Sequence, residues 1–181
     1  IETLVPILIN FIKLMNSEYE DFLYVFHTTN NQRKNLEKYF SGAEIKNFEI
    51  INDDEIKKHV LKKSIFAIAK SGTVSLEISN EKIPSIILYK MNFLNFFIIK
   101  LLVKIKYANI INIAAKKVII PELLQSNCNS KKIFKEVKSF LDNEDKITDQ
   151  IKNTEKVLDD FRTKTLPTDL AAESLRKIIF F

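Results

Sequence analysis

Residues 64–90, SIFAIAKSGTVSLEISNEKIPSIILYK, decide the fold of this chain. Residues 64–69 (SIFAIA) and 84–89 (PSIILY) are short apolar runs, typical of strands that are buried on both faces. Residues 71–80 between them are predicted to form a helix. Strand, helix and strand at this spacing predict two parallel strands joined by a crossover helix.

The same alternation continues on both sides of this stretch. Toward the amino terminus, strands are predicted at 21–29 and 44–51, and helices at 1–16, 31–40 and 53–62. The last of these helices has Asp53 or Asp54 as its cap. A long apolar helix is predicted at 92–105. The pattern predicts an α/β fold: a Rossmann-like parallel sheet with helices on both faces.

Beyond Tyr107 the strand signal fades, and the remaining sequence predicts a helical carboxy-terminal tail. Helices are expected at 121–125, 130–141, 145–162 and 168–179. The second of them has an apolar stripe at Ile133, Phe134, Val137, Phe140 and Leu141.

The composition excludes several classes of protein. A single cysteine, Cys128, rules out an internal disulfide framework and a cysteine-built zinc site. No P-loop, complete G-x-G-x-x-G or Ser-His-Asp signature is present, and neither histidine has a metal-ligand neighbour in sequence. We therefore expect no metal and no cofactor. The net charge of +5 would suit nucleic acid, but basic stripes with interleaved aromatics are not obvious, so no nucleic-acid partner is expected.

The turn after the strand at 64–69 is the candidate ligand site. Ser71, Gly72 and Thr73 would lie at the carboxyl end of a parallel strand, where open α/β sheets bind ligands, and a diphosphate would fit their amides. Thr73 and Glu77 are four residues apart and share a helix face, so Glu77 can accept hydrogen bonds from ribose hydroxyls. The alternative is an ordinary serine cap with a surface glutamate.

Three motifs resemble those of the lipid-A-disaccharide synthases. They are SGTVSLE (71–77), IPSIILYK (83–90) and LLVKIKYANIINIAAKKVIIPELLQSNC (101–128). Members of that family typically read SGT-x-x-LE, then P-x-V-x-x-Y-R/K, then LVK-x-x-Y and VPELLQ. The motifs match in order and spacing, and the similarity extends from Ile1 to the helical tail.

The resemblance implies the carboxy-terminal half of a B-type glycosyltransferase. Residues 1–128 would form the nucleotide-sugar-binding domain and residues 129–181 a helical tail. Similar enzymes transfer 2,3-diacylglucosamine from its UDP donor to 2,3-diacylglucosamine 1-phosphate, with inversion and without a metal. The residues that match the UDP-binding motifs are Ser71, Gly72, Thr73, Glu77, Tyr89, Lys90, Asn112, Glu122 and Gln125.

The sequence departs from the family pattern in ways that affect catalysis. Lys116 and Lys117 stand where the family has Gly-Arg, so charge is kept but the guanidinium fork is lost. The family's Gly-Ser-Arg loop should come just before Ile1, and the acceptor-side domain that holds its candidate base is not in this sequence. We therefore expect a fragment that is inactive alone, with Asn112 and Lys117 as its candidate catalytic residues.

The helix predicted at 92–105 has two apolar sides. One side can cover the sheet, and the other carries Phe96, Ile99 and Val103 beside Lys100 and Lys104. This pattern is typical of a helix that dips into a membrane interface, with lysines near lipid phosphates. Together with the lipid substrates of the similar enzymes, it implies a cytoplasmic protein peripheral to the inner membrane. The alternative is a helix covered by another domain or by a partner in a homodimer.

Two other functions remain open from the sequence. One is a non-catalytic α/β module that binds a nucleotide or a protein partner through the same strand-end turn. The other is a different B-type UDP-sugar enzyme, which would share the turn and Glu77 but not the PELLQ block at 121–125.

Overall fold

A computed structural model describes residues 3–70, 72–91, 106–162 and 176 of the chain. Helices and strands alternate through most of this length. The strands are β1 (Tyr24–His27), β2 (Phe48–Ile51), β3 (Ala67–Lys70), β4 (Ser85–Tyr89) and β5 (Glu122–Leu124). The helices are α1 (Val5–Asn16), α2 (Asn30–Ser41), α3 (Asp54–Lys63), α4 (Val74–Asn80), α5 (Ile110–Ala115), α6 (Ser130–Leu141) and α7 (Glu144–Phe161).

Asx side chains fix where several helices begin. Asp53 accepts a hydrogen bond of 2.8 Å from the amide of Ile56 and caps α3, which confirms the predicted cap. Asn109, Asn129 and Asn143 make the equivalent bond at the starts of α5, α6 and α7. Each bond pairs an amide that the helix itself leaves unpaired, and such a cap typically contributes about 1 kcal/mol.

Every strand pair among the described residues is parallel, as predicted. β1 pairs with β2, and β4 lies between β3 and β5 in a second sheet. Ile86, Ile87 and Leu88 in β4 are at most 2% exposed. Ile86 and Leu88 belong to one hydrophobic cluster and Ile87 to the other, so helices cover the central strand on both faces. The predicted α/β class is confirmed.

The first hydrophobic cluster joins the two sheets. It contains buried residues of α1, α2, β4 and α6, and the partly buried Tyr24, Phe26, Phe48 and Ile68 of the first three strands pack against it. Phe40 of α2 stacks on Phe48 at 4.3 Å between ring centroids. Burying a side chain of this size contributes about 1.5–3 kcal/mol.

The two described helices of the predicted tail pack onto these same clusters. Ile133, Val137 and Phe140 of α6 lie in the first cluster, and Val157 of α7 lies in the second. Gln150 of α7 also bonds the backbone of Ser85 twice, at 2.7 and 3.0 Å. Helices at 130–141 and 145–162 are thus confirmed, and they fold back on the chain's own sheet. The helix predicted at 168–179 lies outside the described residues, apart from position 176.

The structure corrects two predictions near the PELLQ block. Residues 121–125 were expected to form a helix, but Glu122–Leu124 form β5, paired with β4. No helix was predicted around Asn112, where residues 110–115 form the short helix α5. A segment of three residues is too short for its hydrophobic period to separate a strand from a helix, and here pairing with β4 fixes the strand.

Candidate functional site

The carboxyl ends of β3, β4 and β5 lie together at one edge of the sheet. The register pairs Lys70 with Leu88 and Tyr89 with Leu124. Gly72 and Thr73 follow β3, Lys90 follows β4, and Gln125 follows β5. Four of the nine residues predicted to bind the nucleotide therefore follow strands that end at this edge, and Tyr89 is the last residue of β4. Parallel α/β sheets bind their ligands at such an edge.

Gly72 and Thr73 form the turn that leads from β3 into α4. Gly72 has φ +149°, a conformation that side-chain-bearing residues rarely adopt, and no atom lies within 4 Å of a Cβ placed there. Thr73 is exposed at the N-cap of α4 and makes no side-chain capping bond. Its hydroxyl is not needed to cap the helix. Ser71, predicted to belong to the same turn, lies outside the described residues.

Glu77 lies one helical turn after Thr73 and forms an ion pair that the sequence analysis missed. Its Oε2 is 2.6 Å from Nζ of Lys57, in the first turn of α3. Lys57 also lies 3.7 Å from Asp54, and Nε2 of His27, the last residue of β1, is 3.5 Å from the same Asp54 oxygen. Four polar side chains from three segments thus meet beside the turn. Because Lys57 and Glu77 are twenty positions apart, no local pattern predicts their contact.

The ends of β4 and β5 are joined by two polar contacts. Nζ of Lys90 donates to the carbonyl of Cys128 at 3.3 Å, and the amide of Met91 donates to Oε1 of Gln125 at 3.2 Å. Gln125 Nε2 is buried and has no hydrogen-bond partner among the described residues. Burial raises the pKa of the Cys128 thiol, an effect that Lys90 partly offsets, so the thiol remains protonated at neutral pH.

Asn112 and Glu122 lie in a hydrogen-bond network below the edge. Asn112 is fully buried; its oxygen accepts from the amides of Ile119 and Ile120, and its nitrogen donates to Ile120 and Glu122. Glu122 also accepts from the amides of residues 108 and 109. Asn112 has no remaining bonding capacity, so in this geometry it shapes the backbone and would have to break bonds to touch a nucleotide.

Lys117 does not lie where its predicted role requires. It belongs to the turn before β5, and β5 runs parallel to β4. That turn is therefore at the opposite end of the strand from Gln125. Nζ of Lys117 donates instead to Oδ1 of Asn153 in α7, at 2.9 Å. This position does not support the prediction that Lys117 is a catalytic residue.

The predicted membrane surface belongs to the sequence at 92–105. Phe96, Ile99, Lys100, Val103 and Lys104 lie outside the described residues. Within the described ranges, no helix is long and apolar enough to cross a membrane. Nor does that part of the chain gather three or more His, Cys, Asp or Glu side chains in a way that could hold a metal ion.

The parallel strands with helices on both faces and the glycine turn after β3 define the class: a Rossmann-like α/β domain. A family model described as lipid-A-disaccharide synthetase matches residues 1–178, and the chain belongs to that family. The resemblance found in the sequence is thereby confirmed.

Curated relatives carry the same family name. The lipid-A-disaccharide synthase of Rickettsia typhi is 33% identical over 174 residues, which cover 95% of this chain and 45% of the relative. That of Rickettsia bellii is 34% identical over 173 residues, 92% of this chain and 45% of the relative. That of Rickettsia conorii is 44% identical over 110 residues. The chain therefore spans a little under half the length of the first two relatives.

Proposed function

We propose that this chain is the donor-binding half of a lipid-A-disaccharide synthase and binds the UDP part of UDP-2,3-diacylglucosamine. The observation that carries the proposal is the pairing of an uncapped Thr73 turn with the half-exposed carboxylate of Glu77 at the carboxyl edge of a parallel sheet. The turn supplies backbone amides for the diphosphate, and Glu77 accepts from the ribose hydroxyls. Family membership over residues 1–178 supports the choice of nucleotide sugar.

The proposed reaction is an inverting transfer to 2,3-diacylglucosamine 1-phosphate. The bond between the donor's anomeric carbon and UDP breaks, and an acceptor hydroxyl bonds to that carbon from the opposite face. The hydroxyl proton passes to a base, which must lie within hydrogen-bond reach of the attacking oxygen. Glu77 is assigned to the ribose, so we place the base on the acceptor side, outside this sequence. Lys90 would offset charge on the departing UDP, and no metal is part of the proposal.

The remaining roles at the edge are indirect. Tyr89 is the last residue of β4 and Lys90 follows it, at the same edge as Gln125. We assign both to the uridine diphosphate part of the proposed site. Asn112 and Glu122 hold the segment that leads into β5 and so set the position of Gln125, as their hydrogen bonds suggest. This assignment replaces direct nucleotide contact for the two residues.

Peripheral contact with the inner membrane belongs to the same proposal. Both substrates carry acyl chains, and the sequence at 92–105 combines apolar residues with Lys100 and Lys104. A surface of that composition is suited to the interface of an anionic bilayer. A homodimer remains a prediction from the sequence.

Nucleotide binding tests the proposal on the 181-residue chain itself. UDP at about 100 times its Kd should stabilise the chain by about 2.7 kcal/mol in thermal unfolding. Glu77→Ala should lose most of this effect, measured against its own ligand-free baseline. Glu81→Ala is the matched control, because it removes the same charge beyond the end of α4. Absence of any protection by UDP would overturn the proposal, and equal protection of Glu77→Ala would remove Glu77 from the site.

A further inference from the structure

We infer that Lys57 is a positioning residue that holds the Glu77 carboxylate in place for the ribose hydroxyls of a bound uridine nucleotide. The inference rests on the proposed function and deepens it, because it assigns ribose recognition to a pair of residues. Lys57 would not touch the nucleotide; it would act through Glu77.

The contact is suited to this task by its geometry. Lys57 and Glu77 are both the fourth residue of their helices, and α3 and α4 each begin just after a parallel strand. Nζ of Lys57 reaches across from one helix start to the other and meets Oε2 of Glu77 at 2.6 Å. A short contact between separate helices fixes where the carboxylate lies relative to the turn at Gly72 and Thr73.

The exposure of the two side chains assigns them different roles. The Lys57 side chain is only 17% exposed, whereas that of Glu77 is 45% exposed. Lys57 thus reaches Glu77 from inside the fold, and the carboxylate still faces solvent. An ionised carboxylate has about four acceptor sites on its two oxygens, and the contact at Oε2 leaves acceptor capacity for hydroxyl groups.

Asp54 is the second acidic neighbour of Lys57, and its contact with Lys57 is weaker than that of Glu77. Asp54 lies 3.7 Å from Nζ, beyond hydrogen-bond distance, and its side chain is 79% exposed. Oδ1 of Asp54 also lies 3.5 Å from Nε2 of His27. The strongest contact of Lys57 is therefore with Glu77, and solvent screens the attraction of Asp54 more.

Losing Lys57 would leave Glu77 charged but free to change rotamer. Ordering a long side chain on binding costs about 0.5–1.5 kcal/mol, which corresponds to a loss of roughly two- to tenfold in affinity. The affinity is lost from the ribose contact, whereas the contribution of the diphosphate contact is unchanged. Its signature is a smaller preference for UDP over nucleotides that lack a ribose hydroxyl.

The test is calorimetric titration of the 181-residue chain with UDP, 2′-deoxy-UDP and 3′-deoxy-UDP. The wild type should prefer UDP over at least one deoxy nucleotide by about tenfold or more, the usual strength of a hydrogen bond to a charged group. Lys57→Met should reduce that ratio by about two- to tenfold. Lys57→Arg, which keeps a cationic donor of similar reach, should restore most of it.

Lys58→Met is the matched control. Lys58 is the neighbouring residue on α3; it is 64% exposed and paired with Glu55 at 2.7 Å. The substitution removes the same charge one residue further along α3, so it should change the three affinities by the same factor and leave their ratio unchanged. Lys57→Gln provides a second variant, with a polar side chain, should the methionine variant unfold.

The outcomes separate the inference from the proposed function. If Lys57→Met and Lys57→Gln keep the wild-type ratio, the positioning role is wrong while UDP binding stands. If the wild type binds UDP without preference over either deoxy nucleotide, Glu77 does not read the ribose and the inference fails. If the wild type does not bind UDP, the proposed function and the inference fail together.

Discussion

Nδ2 of Asn112 donates to Oε1 of Glu122 at 2.8 Å, and this partly buried bond ties α5 to the first residue of β5. Two backbone amides bond the Asn112 oxygen on the other side. The PELLQ block and Asn112 are thus one structural unit. It ends at Gln125, at the edge of the sheet where the carboxyl ends of β3, β4 and β5 lie.

Asn112→Ala should destabilise the fold strongly. It leaves the amides of Ile119 and Ile120 without their acceptor, and each unpaired buried group costs about 1–3 kcal/mol. We expect a loss of about 2–5 kcal/mol in urea unfolding. Asn127→Ala, at an exposed position, is the control and should change stability by less than about 0.5 kcal/mol. An Asn112→Ala variant of normal stability that no longer binds UDP would instead make Asn112 a direct ligand.

Gly72→Ala should cost about 1–3 kcal/mol of unfolding free energy, because φ +149° strains any residue with a Cβ. The cost arises from the backbone alone, since the added methyl meets no atom within 4 Å. Gly42 has equally open surroundings but φ −95°. Gly42→Ala should therefore be neutral or stabilise the fold by up to about 1 kcal/mol. Equal effects of the two substitutions would show that the turn is not strained.

Tyr24 should make stability depend on pH in the alkaline range. Burial raises its pKa from 10.0 to about 12, and its hydroxyl has no hydrogen-bond partner among the described residues. Between pH 10 and 12 the unfolded chain loses this proton and the folded chain keeps it, so the stabilising contribution is full below pH 10 and lost as pH rises through 12.

Comparison of wild type with Tyr24→Phe isolates this effect. Between pH 10 and 12, the unfolding free energy of Tyr24→Phe should fall less steeply than that of the wild type. Near pH 7 it should be at least as stable, because it removes a buried hydroxyl that bonds nothing in the described ranges. An unchanged alkaline slope would contradict the assignment.

Phe96→Asp combined with Ile99→Asp should release the chain from anionic vesicles in a sedimentation assay. Two carboxylates on the proposed membrane side oppose both insertion and attraction to lipid phosphates. Far-UV circular dichroism is the control for folding. If the double variant unfolds, these residues belong to the core, and the membrane surface is wrong.

The sequence predicted four parallel strands, but it predicted neither β5 nor the division of the strands into two sheets. Apolar runs such as residues 84–89 predicted parallel strands, because a strand that is buried on both faces is composed almost entirely of apolar residues. β5 and α5 were missed because segments of three and six residues are too short to show a hydrophobic period. Tertiary contacts, such as those of Asn112, fix them instead. A turn at Gly72 and Thr73 was predicted to follow the third strand, as it does. The pairing of Lys57 with Glu77 could not be predicted, because it joins two helices across the fold.

The central claim, that the chain is the donor-binding half of a lipid-A-disaccharide synthase, is tested most directly by restoring the other half. The chain should be joined to the amino-terminal half of the Rickettsia typhi relative, which is 33% identical over the shared region. Formation of disaccharide 1-phosphate from the UDP donor and 2,3-diacylglucosamine 1-phosphate is then measured, with the isolated chain and the intact relative as controls. We predict turnover by the fusion and none by the chain alone. An inactive, folded fusion beside an active relative, or equal turnover by the isolated chain, would contradict the account.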